Sequence, residues 1–267
     1  MTEAANMRIE TDSLEKRFGG VVALDDVTLD FPAGSVTAII GPNGAGKTTL
    51  FNVMAGFLKP DSGSVFLVPS GDGEGASHKI DILGLPPYKI ARQGIGVLFQ
   101  NVRIFNKLTA LENVAVGAKD QPGENPLNLL FRPGVVASRE KEVLEKSRYY
   151  LGYVGLADKA HLWAEQLSYG QQKLIAIARL LAGDAKVLLL DEPTSGVHPD
   201  MIENLLGLIQ QLAGTDGRAV IMIEHNLNVV RRVGDWVYLM AGGRIEVFGK
   251  PEEVLRDTRL LELFPTL

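Results

Sequence analysis

Gly41-Pro-Asn-Gly-Ala-Gly-Lys-Thr-Thr49 follows a short apolar strand, Val36 to Ile40, and opens an apolar helical stretch, Leu50 to Leu58. A strand before and a helix after are the context a phosphate-binding P-loop requires. The glycines at 41, 44 and 46 let the backbone fold into a tight nest with its N–H groups turned inward. The helix that follows adds the partial positive charge of its N-terminus. Gly41, Pro42, Asn43, Gly44, Ala45, Gly46, Lys47, Thr48 and Thr49 are therefore the candidate phosphate-binding set. Lys47 would reach the β- and γ-phosphates, and the Thr48 hydroxyl would ligate Mg²⁺. A glycine-rich turn ahead of an ordinary helix is the plainer alternative, but chance rarely supplies the glycines, the lysine, the threonine and both flanks together. The expectation is a site for a nucleoside triphosphate.

The rest of the chain is compatible with a large α/β core. Its 267 residues are 46% hydrophobic and 22% charged, enough to bury one large domain or a domain with a subdomain. The apolar runs are short, as in Val187 to Leu190 and Ala219 to Ile223, far below the roughly 18 to 20 residues that span a bilayer. The start, Met-Thr-Glu-Ala-Ala-Asn, lacks the basic residues and apolar run of a secretory signal, and there is no cysteine for a disulfide. Together these lead us to expect a soluble, cytoplasmic protein. A net charge of −5 argues against a dominant nucleic-acid surface, since backbone binding needs Lys and Arg. The pair Arg231-Arg232 reads as a solvated helix face.

Residues 8 to 40 read as short β segments separated by turns, ending at the strand before the P-loop. Residues 63 to 68 and 79 to 83 look like the arms of a hairpin, joined by a polar, glycine-rich stretch, 69 to 78, expected to be an exposed, mobile loop. From about 101 to 182 the pattern is helical, with amphipathic stretches at Arg139 to Leu151 and Leu167 to Leu181. Ser168 just before the second, with Gln171 three positions on, forms a capping-box pattern. Val187 to Leu190 and Ala219 to Ile223 are unbroken apolar strands of the kind buried in a parallel sheet. Helices alternating with such strands give an α/β fold. There is no internal repeat and no heptad run long enough for a coiled coil.

Val187-Leu-Leu-Leu-Asp-Glu192 places two acids directly after a buried strand, where the C-terminal end of a parallel sheet meets its ligand crevice. Downstream of a P-loop this is a Walker B pattern. Asp191 would hold Mg²⁺, through water, and Glu192 would polarise the attacking water as general base. Gln100 follows the strand-like Ile95 to Phe99, where its amide could ligate Mg²⁺ or orient water. His225 follows Val220 to Ile223 after Glu224, where its imidazole could hydrogen-bond a γ-phosphate oxygen. Alone, either Gln100 or His225 would be read as a satisfied structural residue. In company, Glu192, His225 and Gln100 are the candidate catalytic residues, and Thr48, Gln100 and Asp191 the candidate metal ligands.

Leu167-Ser-Tyr-Gly-Gln-Gln172 changes the weighting. With the P-loop, Gln100, Asp191-Glu192 and His225 in this order, the chain resembles the ATP-binding cassette (ABC) ATPases, whose signature is usually Leu-Ser-Gly-Gly-Gln. The resemblance runs over about residues 8 to 255. It implies a single domain over 1 to 267: a RecA-like P-loop NTPase core with an antiparallel β subdomain, residues 1 to 100 and 183 to 267, and an inserted α-helical subdomain, 101 to 182, carrying the signature. It implies that Ser168, Gly170 and Gln171 complete the ATP site of an opposing subunit in a head-to-tail dimer, and that Phe18 stacks on adenine. The alternative for Phe18 is a partly buried strand aromatic. Two positions depart from the family pattern. Tyr169 replaces the first signature glycine, and His198 stands where the segment after Walker B usually ends in aspartate, so coupling between the two sites is expected to be unusual.

Gly84 to Arg92, Phe99 to Phe105, Leu108 to Val114 and the tyrosine-containing signature resemble the ATPase subunits of branched-chain amino acid importers. Urea and short-chain amide importers share much of this pattern, a lipid or lipopolysaccharide exporter cassette is the nearest rival, and a soluble cassette of translation or DNA repair is a rival from another class. That last class normally has two cassettes in one chain or a long coiled-coil insertion; this sequence has one P-loop and neither feature. The resemblance implies ATP and Mg²⁺ as cofactors. Its implied partners are a second cassette, self or paralogue, membrane permease subunits and, indirectly, an extracytoplasmic solute-binding protein. The implied location is peripheral, on the cytoplasmic face of the plasma (inner) membrane. Residues 119 to 138, with Pro122, Pro126 and Pro133 around Leu127 to Phe131, read either as a permease-docking surface or as a loop covering the helical region.

Overall fold

The computed structural model describes residues 6–70, 79–124 and 126–263. They form two compact units. The first holds the residues up to Gln100, Lys186–Ser195 and those from Ile202 onward; the second holds Asn101–Ala185 and Gly196–Met201.

The first unit contains two sheets. β1 (Met7–Phe18) and β2 (Val21–Phe31) are longer than the short segments expected, because Leu14, Leu24, Val27 and Phe31 all bury their side chains fully. Their pairing slips between Thr11 and Leu14, where Ser13 has a positive φ of 45°. β4 (Ser62–Pro69) joins β1, and β5 (Ile80–Asp81) completes an antiparallel sheet in the order β2-β1-β4-β5. The expected second hairpin arm, 79 to 83, pairs over only two residues. The Asp81 carboxylate accepts from the Leu83 amide at 2.8 Å and turns the chain away. Most of the polar stretch expected to be mobile, residues 71 to 78, lies outside the described residues.

The second sheet has the order β10-β9-β3-β8-β7-β6. β3 (Val36–Ile40), β6 (Ile95–Leu98), β7 (Val187–Asp191), β8 (Ala219–Ile223) and β9 (Trp236–Ala241) run parallel, and β10 (Arg244–Gly249) pairs antiparallel at the edge. Strands β3 and β8 are buried along their whole length, as continuous apolar runs in a parallel sheet should be. One face contributes Ile39, Leu189 and Ile221 to a core shared with Ile9 and Phe31 of the antiparallel sheet and with Leu50 and Met54 of α1 (Lys47–Met54). The expected helix over Leu50 to Leu58 stops at Met54. Gly56 has φ +74°, and a Cβ there would lie 2.9 Å from the Leu85 carbonyl, so the chain must turn at a glycine. The unit also carries α2 (Pro87–Gln93), most of α7 (Pro199–Gly214), α8 (Leu227–Val233), α9 (Pro251–Val254) and α10 (Thr258–Leu263). Arg232 at the end of α8 pairs with Glu203 of α7 on the surface.

The second unit is helical: α3 (Ala110–Ala115), α4 (Pro126–Phe131), α5 (Pro133–Tyr153) and α6 (Tyr169–Ala182). Its buried Asn113 donates to the Phe105, Leu108 and Thr109 carbonyls and accepts from the Phe105 amide, fixing the turn ahead of α3. The prolines of the 119 to 138 segment start helical turns at 122, 126 and 133, where a missing N–H loses no hydrogen bond. Leu127, Phe131 and Val135 are exposed there. Among the described residues no helix is long and apolar enough to cross a membrane.

Candidate nucleotide site

The P-loop bends between β3 and α1 on glycines that no other residue could replace without strain. Gly46 has φ +104°, and a Cβ there would lie 2.2 Å from the Ala23 carbonyl oxygen. At Gly41, with φ +151°, it would lie 2.0 Å from the Met240 carbonyl oxygen. Gly46 is also the N-cap of α1, and it brings neither a side-chain cap nor an acidic residue to the first turn. The N–H groups of that turn and the helix dipole are thus directed at whatever anion the loop receives.

Lys47, the first residue of α1, is 6% exposed, and its ammonium donates to the Gly41 and Pro42 carbonyls at 2.7 and 2.9 Å. Burial pushes its pKa below the ordinary 10.5, while the carboxylates of Glu192 and Asp191 act in the opposite direction. A cavity of about 210 Å³ opens over the loop. It is lined by Asn43 through Thr49 together with Glu192 and His225, so the first unit gathers these sequence-predicted residues in one place. Val21, Ala23 and Ile223 line it as well and carry no motif that would have announced them. Gly41, Pro42, Gln100 and Asp191 are not in the lining, and neither is Phe18. Phe18 sits half exposed at the end of β1, 5.6 Å from the Lys16 ammonium. Its strand partner is Val21, which does reach the cavity.

Parallel register explains how Gln100, Glu192 and His225 meet. Leu98 pairs with Leu190, and Asp191 pairs with Ile223. The chain therefore leaves β6, β7 and β8 at the same level, bringing residues 100, 192 and 224 to one rim. Gln100 Nε2 donates to Glu192 Oε2 at 2.8 Å, and His225 Nε2 lies 3.2 Å from Glu192 Oε1. The Glu192 carboxylate is thus held from both sides. Its backbone is left-handed, with φ +46°, and its N–H donates to the Ile223 carbonyl at 3.0 Å. An isolated glutamate rarely adopts that conformation, so the surrounding bonds must enforce it.

The signature residues lie in the second unit. Ser168 caps α6: its hydroxyl accepts from the Gln171 amide at 3.4 Å, and Gln171 Oε1 accepts from the Ser168 amide at 3.0 Å. The Ser168 hydroxyl also lies 3.6 Å from the Met201 sulfur. Gly170 is a packing glycine, since a Cβ would come within 3.2 Å of both Met201 Sδ and Val197 Cγ1. Tyr169, the departure from the usual glycine, covers Gly196 and faces the buried Lys173 ammonium 5.3 Å from its ring. His198 is well exposed, and its Nδ1 lies 3.4 Å from the Asp200 carboxylate.

Comparison with known proteins places this geometry. The family described as "ABC transporter" matches residues 24–195. The high-affinity branched-chain amino acid transport ATP-binding protein BraF of Pseudomonas aeruginosa is 37% identical over 256 residues, covering 96% of each chain. A nucleotide-free ATP-binding cassette from an ABC transporter superposes with a TM-score of 0.80 at 34% identity, over 97% of this chain and 98% of that one. A dimeric ATP-binding cassette in a post-hydrolysis state, bound to ADP and Pi, superposes with a TM-score of 0.70 at 28% identity, over 91% and 98%. On motifs, fold and relatives alike, the chain belongs to the ABC transporter family and is one of its ATPase cassettes.

Proposed function

We propose that this cassette hydrolyses MgATP with Glu192 as general base and powers an importer of branched-chain or related amino acids. The hydrolytic part rests on one observation: Glu192 is fixed between Gln100 and His225 at the rim of the P-loop cavity. Glu192 takes a proton from the attacking water, Lys47 and the α1 N-terminus hold the phosphates, and His225 hydrogen-bonds the γ-phosphate. Thr48, Asp191 and Gln100 offer only oxygen donors, the set that Mg²⁺ prefers, and two of them are neutral, leaving phosphate oxygens to complete the shell. Mg²⁺ held by these residues would supply charge neutralisation to the phosphates. Among the described residues no cluster of three or more His, Cys, Asp or Glu forms a competing metal site.

The substrate class rests on the relatives, of which the P. aeruginosa protein is named for branched-chain amino acid transport. In this reading Ser168, Gly170 and Gln171 serve the ATP of a second cassette across a head-to-tail dimer, and Phe18 meets the adenine. The cassette core and helical subdomain act as one domain peripheral to the inner membrane. They are docked on permease subunits and coupled through them to a solute-binding protein. Closure on ATP and reopening after hydrolysis alternate the permease's access. The exposed Leu127, Phe131 and Val135 favour the docking role for that segment.

Two experiments test these parts separately. Glu192→Gln should keep ATP binding, favour an ATP-dependent dimer and lose hydrolysis by about 10²- to 10⁴-fold; full activity removes Glu192 from the mechanism. Deleting the cassette from its native cell should abolish uptake of labelled leucine and spare urea; the reverse outcome reassigns the substrate.

A further inference from the structure

We propose that Glu224 is the positioning residue that holds the general base and His225 in register, an inference that rests on the reading of Glu192 as base. Glu224 leaves β8 beside Glu192 leaving β7, but its side chain turns inward and is only 3% exposed. A buried acid needs partners for both oxygens. Oε1 accepts from the Thr194 hydroxyl at 2.6 Å and from the Thr194 amide at 3.2 Å. Oε2 accepts from the amides of His225 and Asn226 at 3.2 and 3.4 Å. Three of these groups are backbone N–H groups, which can only donate, and they sit at both ends, so a carboxylate serves both while an amide must set its own N–H against at least one of them.

The carboxylate therefore bridges two segments that must stay aligned. On one side is the turn after Walker B: Thr194 is buried, and the Ser195 amide donates back to the Glu192 carbonyl at 3.2 Å. That turn keeps Glu192 in its left-handed conformation. On the other side is His225, whose imidazole touches the Glu192 carboxylate, followed by Asn226, which caps α8 through its Oδ1. Gln100 and His225 grip the Glu192 side chain, while Glu224 grips the two stretches of backbone that carry the pair. Without this brace the strained turn at Glu192 can relax and carry the carboxylate away from its water.

The test measures steady-state and single-turnover MgATP hydrolysis by the full chain as wild type, E192Q, E224Q, T194V and E192Q/E224Q. In E224Q the amide N–H must face either the Thr194 N–H or the His225 and Asn226 N–H groups, so one half of the brace is weakened. A misplacement of about 1 Å can slow a reaction about 10²-fold, so we expect kcat to fall roughly 10- to 100-fold with KM for MgATP nearly unchanged. T194V removes a single hydroxyl and should lower kcat by roughly three- to tenfold. Because Glu224 acts chiefly through Glu192 and otherwise only through His225, the E224Q change should cost clearly less in the E192Q background than in wild type, whereas a merely structural role would slow both backgrounds alike. If E224Q does not fold, T194V reads the same brace. Wild-type kcat in T194V, or an equal further loss in the E192Q background, overturns the proposal. E192Q hydrolysing at the wild-type rate would instead overturn the assignment of the base, and the brace with it.

Discussion

Replacing Gly46 by alanine tests whether the P-loop is shaped by its own flexibility or by the strands around it. Two terms add at this position. An L-residue at φ +104° is strained by about 1–2 kcal/mol. The new methyl would also meet the Ala23 carbonyl oxygen at 2.2 Å and Met240 Cε at 2.8 Å. The methionine tip can move, but the carbonyl belongs to β2, and overpacking against backbone costs about 1–3 kcal/mol. Gly44 provides the control: its φ is +82°, yet nothing lies within 4 Å of its Cβ, so Gly44→Ala carries only the conformational term. With a urea m-value of about 3 kcal/mol/M, Gly46→Ala should lower the unfolding midpoint by roughly 0.7–1.7 M and Gly44→Ala by roughly 0.3–0.7 M. Trp163 and Trp236 are the two tryptophans, and only Trp236 lies in the first unit. A Trp163→Phe background therefore reads that unit by fluorescence, without nucleotide. A midpoint for Gly46→Ala no lower than that for Gly44→Ala would refute the close approach of β2.

Lys47→Ala should weaken ATP binding roughly 10- to 150-fold by calorimetry, the worth of a charge-assisted bond of about 1.5–3 kcal/mol; an unchanged Kd would place the phosphates elsewhere. Ser168→Ala should destabilise the helical unit by about 1 kcal/mol through loss of the α6 cap, seen as a lower melting temperature without nucleotide. Asp257 accepts hydrogen bonds from the Arg259 guanidinium and amide, which hold its pKa at about 2 against an ordinary 3.8. Its contribution to stability is therefore complete above about pH 4 and is lost as pH falls through about 2. Arg259→Ala should move the Asp257 titration, followed by NMR, up toward 3.8, and an unmoved midpoint would refute the pairing.

What could be read in advance was what short-range physics writes locally. Residues 187 to 190 are apolar on both faces because a central parallel strand is covered on both, and Ser168 with Gln171 announced the start of α6. The boundaries that went wrong were set from a distance. α1 stops at Met54 and the chain turns at Gly56, where Leu85 and Ile90 leave no room for a side chain, and β5 shrinks because Asp81 turns the chain. Val21 and Ala23 reach the cavity only because β2 passes the P-loop, and a β2 residue looks the same in sequence whatever it passes.

The sequence by itself determined that the chain carries a P-loop, a Walker B strand and a signature helix, because glycine freedom, apolar runs and caps act over a few residues. The tertiary structure alone decided that residues 100, 192 and 224 reach one rim, that Glu192 adopts a left-handed backbone, and that Glu224 turns inward to accept from Thr194, His225 and Asn226. Those outcomes depend on the pairing of β6, β7 and β8, strands separated by as many as about ninety residues, and such register is fixed by burial across the whole sheet rather than by any local pattern.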